Sequence, residues 1–584
     1  MTSTSTPVNF AAFLTADTVA QSMGTFAPIQ LLAASLDHHL FPALKNTLAP
    51  SLPFAQQRLF ECLEKRWTFY IGHRTKLMHS IESTGDDSAL DVVISGGGHC
   101  GLRCAVELAL LGFRVTVVEK RDEFSRHNIL KTWKPTVDDL LSLGFKTFFP
   151  LFNVHGLHAI GTREIQLCLL KVCLLLGVRV IYNEVSAAVV EPTVALPGHP
   201  EAEKSWRIVT NHLGLAPPPA SSPSTASDSS ERSGEEATPV DEECIKALAL
   251  KVGEQQTERL NRLSKVDFFE PANSKEGAIV RSHSPGLALP EEVVHSLPFS
   301  ALILAEGESS QLLRNLGFDR RVTRYGPAIG VVVNCRFDPS NRAEKALREF
   351  VVLRSQADWQ QSCLGDLAMR GIHLENMEYM RFSTHFIVAT VKLASLVAYG
   401  ALVEAKSTIR DSLKPCNVVM ERLRAFVRCM ATAAGVPEDT PFSEHHGINI
   451  FDFSCKGHLL KSYSVLASDH SPSAPLVLPI GDSLVNPFWP QGLGVNRGFH
   501  SAIDAAWTLY VDRTQGRSEA IAERQAAHDM MMWLPLQAKL INPGTGWQAD
   551  PLSRYAVSIP KAMRAHQMLT KQELLTPRML AAIC

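Results

Sequence analysis

Residues Asp91 to Glu119 read DVVISGGGHCGLRCAVELALLGFRVTVVE, and the order of their parts decides the fold. A short apolar run, Val92 to Ile94, ends at Gly96, Gly98 and Gly101. In such a turn the first glycine permits the tight bend, the second lets a pyrophosphate approach the backbone, and the third lets the following helix pack closely on the strand. Leu102, Ala105, Val106, Leu108 and Ala109 continue as a helix whose first N–H groups point at the phosphates. Val115 to Val118 then forms a second strand ending in Glu119, 18 residues after Gly101, where a carboxylate can hold the ribose hydroxyls. Strand, turn, helix and acid together define a dinucleotide-binding unit.

The far end of the chain selects the nucleotide. Leu476 to Ile480 reads as a strand leading into Gly481-Asp482, and Gly492, Gly494 and Gly498 open a helix through Ala502, Ala505, Ala506 and Trp507. An Asp at a strand end beside a helix N-terminus suits a ribityl hydroxyl on one side and the electron-rich pyrimidine end of an isoalloxazine on the other. FAD is therefore the expected cofactor.

Several segments then match one family in order: EKRDEFSRHNIL (Glu119 to Leu130), TREIQLCLLKVCLLLGVRV (Thr162 to Val180), GIHLENMEY (Gly371 to Tyr379), GDSLVNPFWPQGLGVNRGFHSAIDAAW (Gly481 to Trp507) and DPLSRY (Asp550 to Tyr555). They resemble the flavin monooxygenase domain of the MICAL proteins, from about Gln57 to Tyr555 apart from one insertion. The resemblance implies a group A hydroxylase fold like that of p-hydroxybenzoate hydroxylase, using FAD and NADPH. It also implies oxidation of actin methionines to sulfoxides through a flavin C(4a)-hydroperoxide, with H2O2 release when oxygen activation runs uncoupled.

The same resemblance carries over site residues. Glu119, Lys120 and Arg121 match the family's ribose-contacting triplet; Arg126, His127 and Asn128 match a second FAD-contacting triplet; Asp482 matches its flavin Asp. Cys100 stands where the family also has Cys at the FAD phosphates, and it reads equally well as a small side chain at a helix start. Phe386 stands where the family usually has a Tyr against the flavin, so stacking survives and a hydroxyl hydrogen bond does not. Glu306-Gly307 replaces the Asp-Gly of many group A hydroxylases, which weakens any NADPH contact drawn from it. Trp489, in a loop stiffened by Pro487 and Pro490, is the candidate wall of a slot over the flavin, where a thioether gains sulfur–aromatic contact as it is oxidised.

Outward from these motifs, 584 residues with 45% hydrophobic content allow more than one core. The expected fold is α/β: a Rossmann-like FAD-binding domain, a mixed-sheet substrate domain, and helical N- and C-terminal caps. The divisions are 1–88 (helical), 89–325 (first part of the FAD domain), 326–445 (substrate domain), 446–516 (last part of the FAD domain) and 517–584 (helical). Ala216 to Glu243 has almost no large apolar residue and is rich in Pro, Ser and acid, so it reads as a disordered insertion inside the FAD domain. A net charge of −2 predicts no strong nucleic-acid or anionic-membrane affinity. The longest apolar segment, Leu167 to Ile181, is broken by Lys171 and Arg179 and is too short to span a bilayer. The N-terminus lacks a basic stretch followed by an apolar core, and the 12 Cys show no CxxC pair or His/Cys ligand spacing. A reduced, cytoplasmic protein without structural metal is the expectation.

The partners expected are NADPH, O2 and a protein substrate, with F-actin the one the resemblance implies. Two features pull against actin: the near-neutral charge, where an acidic filament calls for a basic surface, and the lack of a recognisable calponin-homology, LIM or C-terminal coiled-coil segment. A small-molecule aromatic hydroxylase or NADPH oxidase of the same fold, and a flavin-bound scaffold without turnover, are the alternatives.

Overall fold

The computed structural model describes residues 9–33, 40–152, 158–192, 205–212, 279–280, 293–308, 310–324, 327–347, 350–352, 363–471, 473–486, 494–533, 540–561 and 564. The expected insertion at Ala216 to Glu243 and the candidate Trp489 lie outside them.

A six-stranded sheet forms the centre, in the order Ser464–Val465, Leu476–Pro479, Ala301–Leu304, Asp91–Ser95, Arg114–Glu119, Arg179–Tyr182. All neighbours run parallel except the first pair, with Val92 facing both Ala301 and Val115 in register. Parallel strands covered on both faces read as unbroken apolar runs, as ALIL and DVVIS do. Val92, Ile94 and Val117 point to one face, into a core shared with the helices His99–Leu111, Thr162–Leu175 and Gly494–Thr514. Val93, Val118 and Leu302 point to the other, against Val189, Trp206 and Ile208 of a four-stranded sheet and Met530 of the helix Arg517–Trp533. The fold is thus α/β with a Rossmann-like unit, as the sequence predicts.

Helices Phe54–Phe69 and Ile71–Thr84 lie in the expected N-terminal helical region. An antiparallel five-stranded sheet is ordered Phe350–Val352, Leu374–Arg381, Thr384–Val391, Ile329–Arg336, Ile448–Asp452. Its last strand, paired Val331 to Ile450, continues past the boundary expected at 445, because the turn after Phe442 returns the chain to the same sheet. Alternation sets its two faces: Val331, Val333 and Ile387 meet the helix Met420–Ala433, while Val332, Phe386 and Val388 meet Ile129 and Ala159 of the FAD part. Among the described residues no helix is long and apolar enough to cross a membrane.

Candidate cofactor site

The Gly-rich turn divides its glycines by what surrounds them. Gly96 has φ +108°, and a Cβ there would stand 2.5 Å from the Ala305 carbonyl oxygen. A Cβ on Gly101 would stand 2.0 Å from the Gly96 oxygen, so neither position tolerates a side chain without backbone movement. Gly98 differs: a Cβ there meets nothing within 4 Å. Its backbone is extended, so the glycine is required by neither conformation nor packing. An open space over the first turn of a helix is the cradle a pyrophosphate needs.

Glu119, buried at the end of its strand, accepts from the Gly97 N–H through Oε2 (2.7 Å) and from the Arg121 N–H through Oε1 (3.0 Å). Each oxygen keeps a second lone pair for a ribose hydroxyl. Lys120 beside it is exposed, and burial of its stem and Arg121 lower its pKa. Asn128 holds its loop in place through its carbonyl, which accepts from the Thr162 N–H (2.8 Å) and hydroxyl (2.9 Å). His127 is half-buried, and burial followed by Arg163 keeps it below the usual imidazole range.

Asp482 and Arg126 come from segments more than 350 residues apart in sequence and lie close enough for each to act on the other's charge. Both are exposed to solvent yet crowded by protein at longer range. Crowding, then Glu308, pushes the Asp482 carboxyl up to about 6, with Arg126 and Arg320 opposing; direct water contact tempers that push. Arg126 is held below its usual range by desolvation and then Arg121. Neither side chain has a hydrogen-bond or ion-pair partner among the described residues.

Cys100 joins the two halves. Its Sγ would lie 2.9 Å from a Cβ on Gly481 and 2.5 Å from one on Gly498, so the thiol fills the gap between the first and last cofactor motifs. Of the two readings the sequence left open, close packing at the helix start is what the geometry displays. Glu306 is likewise occupied: it accepts from the Ser95 hydroxyl and from Ser310 (2.7 Å), while Ser483 and Gly307 exchange hydrogen bonds at 2.9 and 3.0 Å. Phe386 is on the sheet face that looks toward the FAD part, but only 1% exposed, packed with Ile129 and Met380; contact with a flavin ring requires that cluster to open.

Two residues at the site escape sequence reasoning. His99 opens the Gly-rich helix, and burial and then Arg126 lower its pKa to about 4, so it is neutral at physiological pH. His446 reaches the site from the substrate sheet with φ 53°, rare for a residue with a side chain. The Asn334 and Asn449 amides fix its carbonyl (2.9 and 3.1 Å), and its Nε2 lies 3.4 Å from the Ser125 hydroxyl, next to Arg126. Its sequence signal is a His-His-Gly run just ahead of the strand Ile448–Asp452.

A turn with one open glycine, a buried acid at the next strand end and an accessible Asp from the closing segment define a FAD-binding α/β protein. Residues 91–129 match the family model described as FAD binding domain, and residues 328–445 match the one described as Mical, Rossman domain. F-actin monooxygenase MICAL1 of Rattus norvegicus is 30% identical over 472 residues, covering 79% of this chain and 36% of that protein. F-actin monooxygenase mical1 of Danio rerio is 28% identical over 476 residues (79% and 31%), and protein-methionine sulfoxide oxidase mical3b of Danio rerio is 29% identical over 474 (79% and 23%). The chain is similar to the MICAL monooxygenases over most of its length, and it spans about a third or less of the relatives it matches. Superposition on solved structures is looser: anhydrotetracycline hydroxylase OxyS from Streptomyces rimosus gives a TM-score of 0.37 at 14% identity over 76% of this chain and 69% of that one.

Proposed function

We propose that this protein is an FAD- and NADPH-dependent monooxygenase that oxidises methionine sulfur in a protein substrate, releasing H2O2 when NADPH oxidation runs uncoupled. F-actin, named for several of its relatives, is the first substrate to test. The observations that support the reading are open Gly98, buried Glu119 bonded to the Gly97 N–H, and accessible Arg126 and Asp482 acting on each other's charge.

In this reading the Gly98 turn and the helix N-terminus hold the pyrophosphate, Glu119 the adenosine ribose, Arg126 the phosphates from outside, and Asp482 the ribityl and pyrimidine end. Lys120, Arg121, His127 and Asn128 complete the rim. Bound FAD supplies electron transfer from NADPH and activation of O2. The chain's own residues bind, orient and exclude water. His99 is neutral, so it offers the phosphates an N–H without adding to the charge of Arg126. Burial, then Asp482 and Cys104, raise the Cys100 thiol well above its usual range, which keeps it protonated and unreactive toward an oxidant nearby. Trp489 is the proposed wall that positions the thioether, and Phe386 a second aromatic surface. Positioning matters because about 1 Å of misplacement can cost roughly 100-fold in rate.

The division of the chain at 88, 325, 445 and 516 belongs to this proposal, with Ile448–Asp452 reassigned to the substrate sheet. A cytoplasmic site of action follows from an actin substrate. The test is NADPH oxidation with and without F-actin, followed by mass spectrometry of actin methionines. Actin-dependent sulfoxide formation supports the reading. NADPH-driven H2O2 with unmodified actin, and sulfoxide yield unchanged in Trp489→Ala, defeat the substrate and the positioning role respectively.

A further inference from the structure

Next to the cofactor segment stands a two-stranded ribbon whose charges find no use in the site above. Arg320–Arg324 (RRVTR) pairs antiparallel with Cys455–Leu459 (CKGHL), in the register Arg321 to His458 and Thr323 to Lys456. Directly opposed residues share a face, so Arg321, Thr323, His458 and Lys456 project together. Arg320, Val322 and Arg324 project from the other face, where Arg320 donates to the Ser483 carbonyl (2.7 Å) and faces Glu308 and Asp482.

The first face is a cluster of like charge. The charges that act on His458 are those of Lys456, Arg321 and Arg320, and the one acting on Lys456 is Arg497. With partial burial, this repulsion holds both groups below their usual ranges. Concentrated like charge favours a bound anion, and it stands out in a chain whose net charge is −2. The cluster is also anchored to the flavin-contacting segment: the Asn486 N–H donates to Gly457 O (2.7 Å), the Leu459 N–H donates to Leu484 O (3.0 Å), and His458 bridges to Val485. None of Arg321, Lys456 and His458 is among the residues assigned to the FAD pyrophosphate.

We infer that Arg321, Lys456 and His458 form the phosphate-binding face for the nicotinamide dinucleotide, taking the 2′-phosphate and pyrophosphate of NADPH. This rests on the proposed function and names the site of its second cofactor. A docking surface for an acidic protein needs exposed charges; here Lys456 and His458 are half-buried and only Arg321 is exposed, which suits a small anion seated beside the flavin.

The test uses the FAD-loaded full chain. NADP+ binding is measured by calorimetry, and NADPH and NADH oxidation by steady-state kinetics, for wild type, Lys456→Ala, Arg321→Glu and Arg321→Lys. Each lost charge-assisted contact is expected to weaken NADP+ binding and raise the KM for NADPH by roughly tenfold or more. FAD content and kcat at saturation should stay near wild type, NADH should be affected less, and Arg321→Lys should retain most of the affinity. Arg321 lies on the ribbon surface, so its variants keep the test valid even where Lys456→Ala folds poorly. NADP+ affinity unchanged in Arg321→Glu overturns the inference. Loss of F-actin affinity with NADP+ binding intact also overturns it, assigning the face to a protein partner. NADP+ binding to wild type without turnover leaves this site standing and defeats the proposed function instead.

Discussion

The Gly-rich helix His99–Leu111 carries ionisable groups on two sides, and they live in opposite ways. On its buried side, Arg103 donates to Asp139 through Nε (2.8 Å) and to Glu107 (2.7 Å), and Arg66 bridges the same two carboxylates at 2.9 and 3.0 Å. Tyr70 donates to Glu107 and accepts from the Ala549 N–H (2.9 Å), while Trp547 lies under the Arg66 guanidinium. This network ties N-terminal helix, Rossmann helix and C-terminal segment into one body. Burial alone pushes the Asp139 carboxyl up, but Arg103 and Arg66 outweigh it and hold it below its usual range. At the helix's open end Arg126 and Asp482, from other segments, are exposed with only distant charges for company, and crowding leaves Asp482 raised. Charges with complete partner sets hold the fold, and charges left accessible await a ligand.

The sharpest way to break that contrast is to remove Asp139. Asp139→Ala leaves Arg66 and Arg103 buried with half their compensation, and about 3–5 kcal/mol of stability should be lost. Denaturant unfolding checks this, and FAD affinity of the folded fraction should be near wild type. A loss under 1 kcal/mol by that measure (the threshold being about the scale of an ordinary surface change) would mean the network is replaceable.

Arg126→Ala should do the reverse. With no partner among the described residues to abandon, stability should move by less than about 0.5 kcal/mol, while the FAD dissociation constant rises roughly tenfold from one lost charge-assisted contact. Equal affinity in a fluorescence titration would remove Arg126 from the site.

The smallest effect concerns pH. The Asp482 pKa is raised in the folded apo-protein, so folding takes up a proton there and stability falls as pH rises from the unfolded value, about 4, through about 6. Asp482→Asn should therefore stabilise the apo-protein above that window and have no effect below it; its exposure keeps the gain small. Melting temperatures at both ends of the window decide it, and an equal shift at both ends would assign the effect to something other than ionisation.

The sequence made the open side legible and the buried side almost invisible. Gly96, Gly98, Gly101 and Glu119 fall within one local strand-turn-helix-strand unit, so their spacing alone encodes their geometry. Arg66, Arg103, Glu107 and Asp139 come from three separate helices. In sequence, Arg103 and Glu107 look like an exposed i, i+4 pair, and only the packing of other helices around them shows otherwise. His446 was missed for the same reason, since its place beside Arg126 depends on docking the substrate sheet. The resemblance set Phe386 against the flavin, while its burial beside Ile129 depends on a neighbour from the FAD part. Cys100, ambiguous as a residue, became a packing element once Gly481 and Gly498 were seen on either side of it.

The account rests most heavily on Gly98, the one glycine of the turn that neither packing nor backbone requires. In Gly98→Val the new side chain enters open space, so the apo-protein should unfold within about 0.5 kcal/mol of wild type. FAD should bind roughly 100-fold more weakly or worse, since two or more charge-assisted contacts to the turn are blocked. Paired unfolding and FAD titrations on the purified variant give both numbers from one preparation. Normal folding with lost FAD is the predicted result; normal folding with FAD bound at wild-type affinity would contradict the placement of the cofactor over this turn.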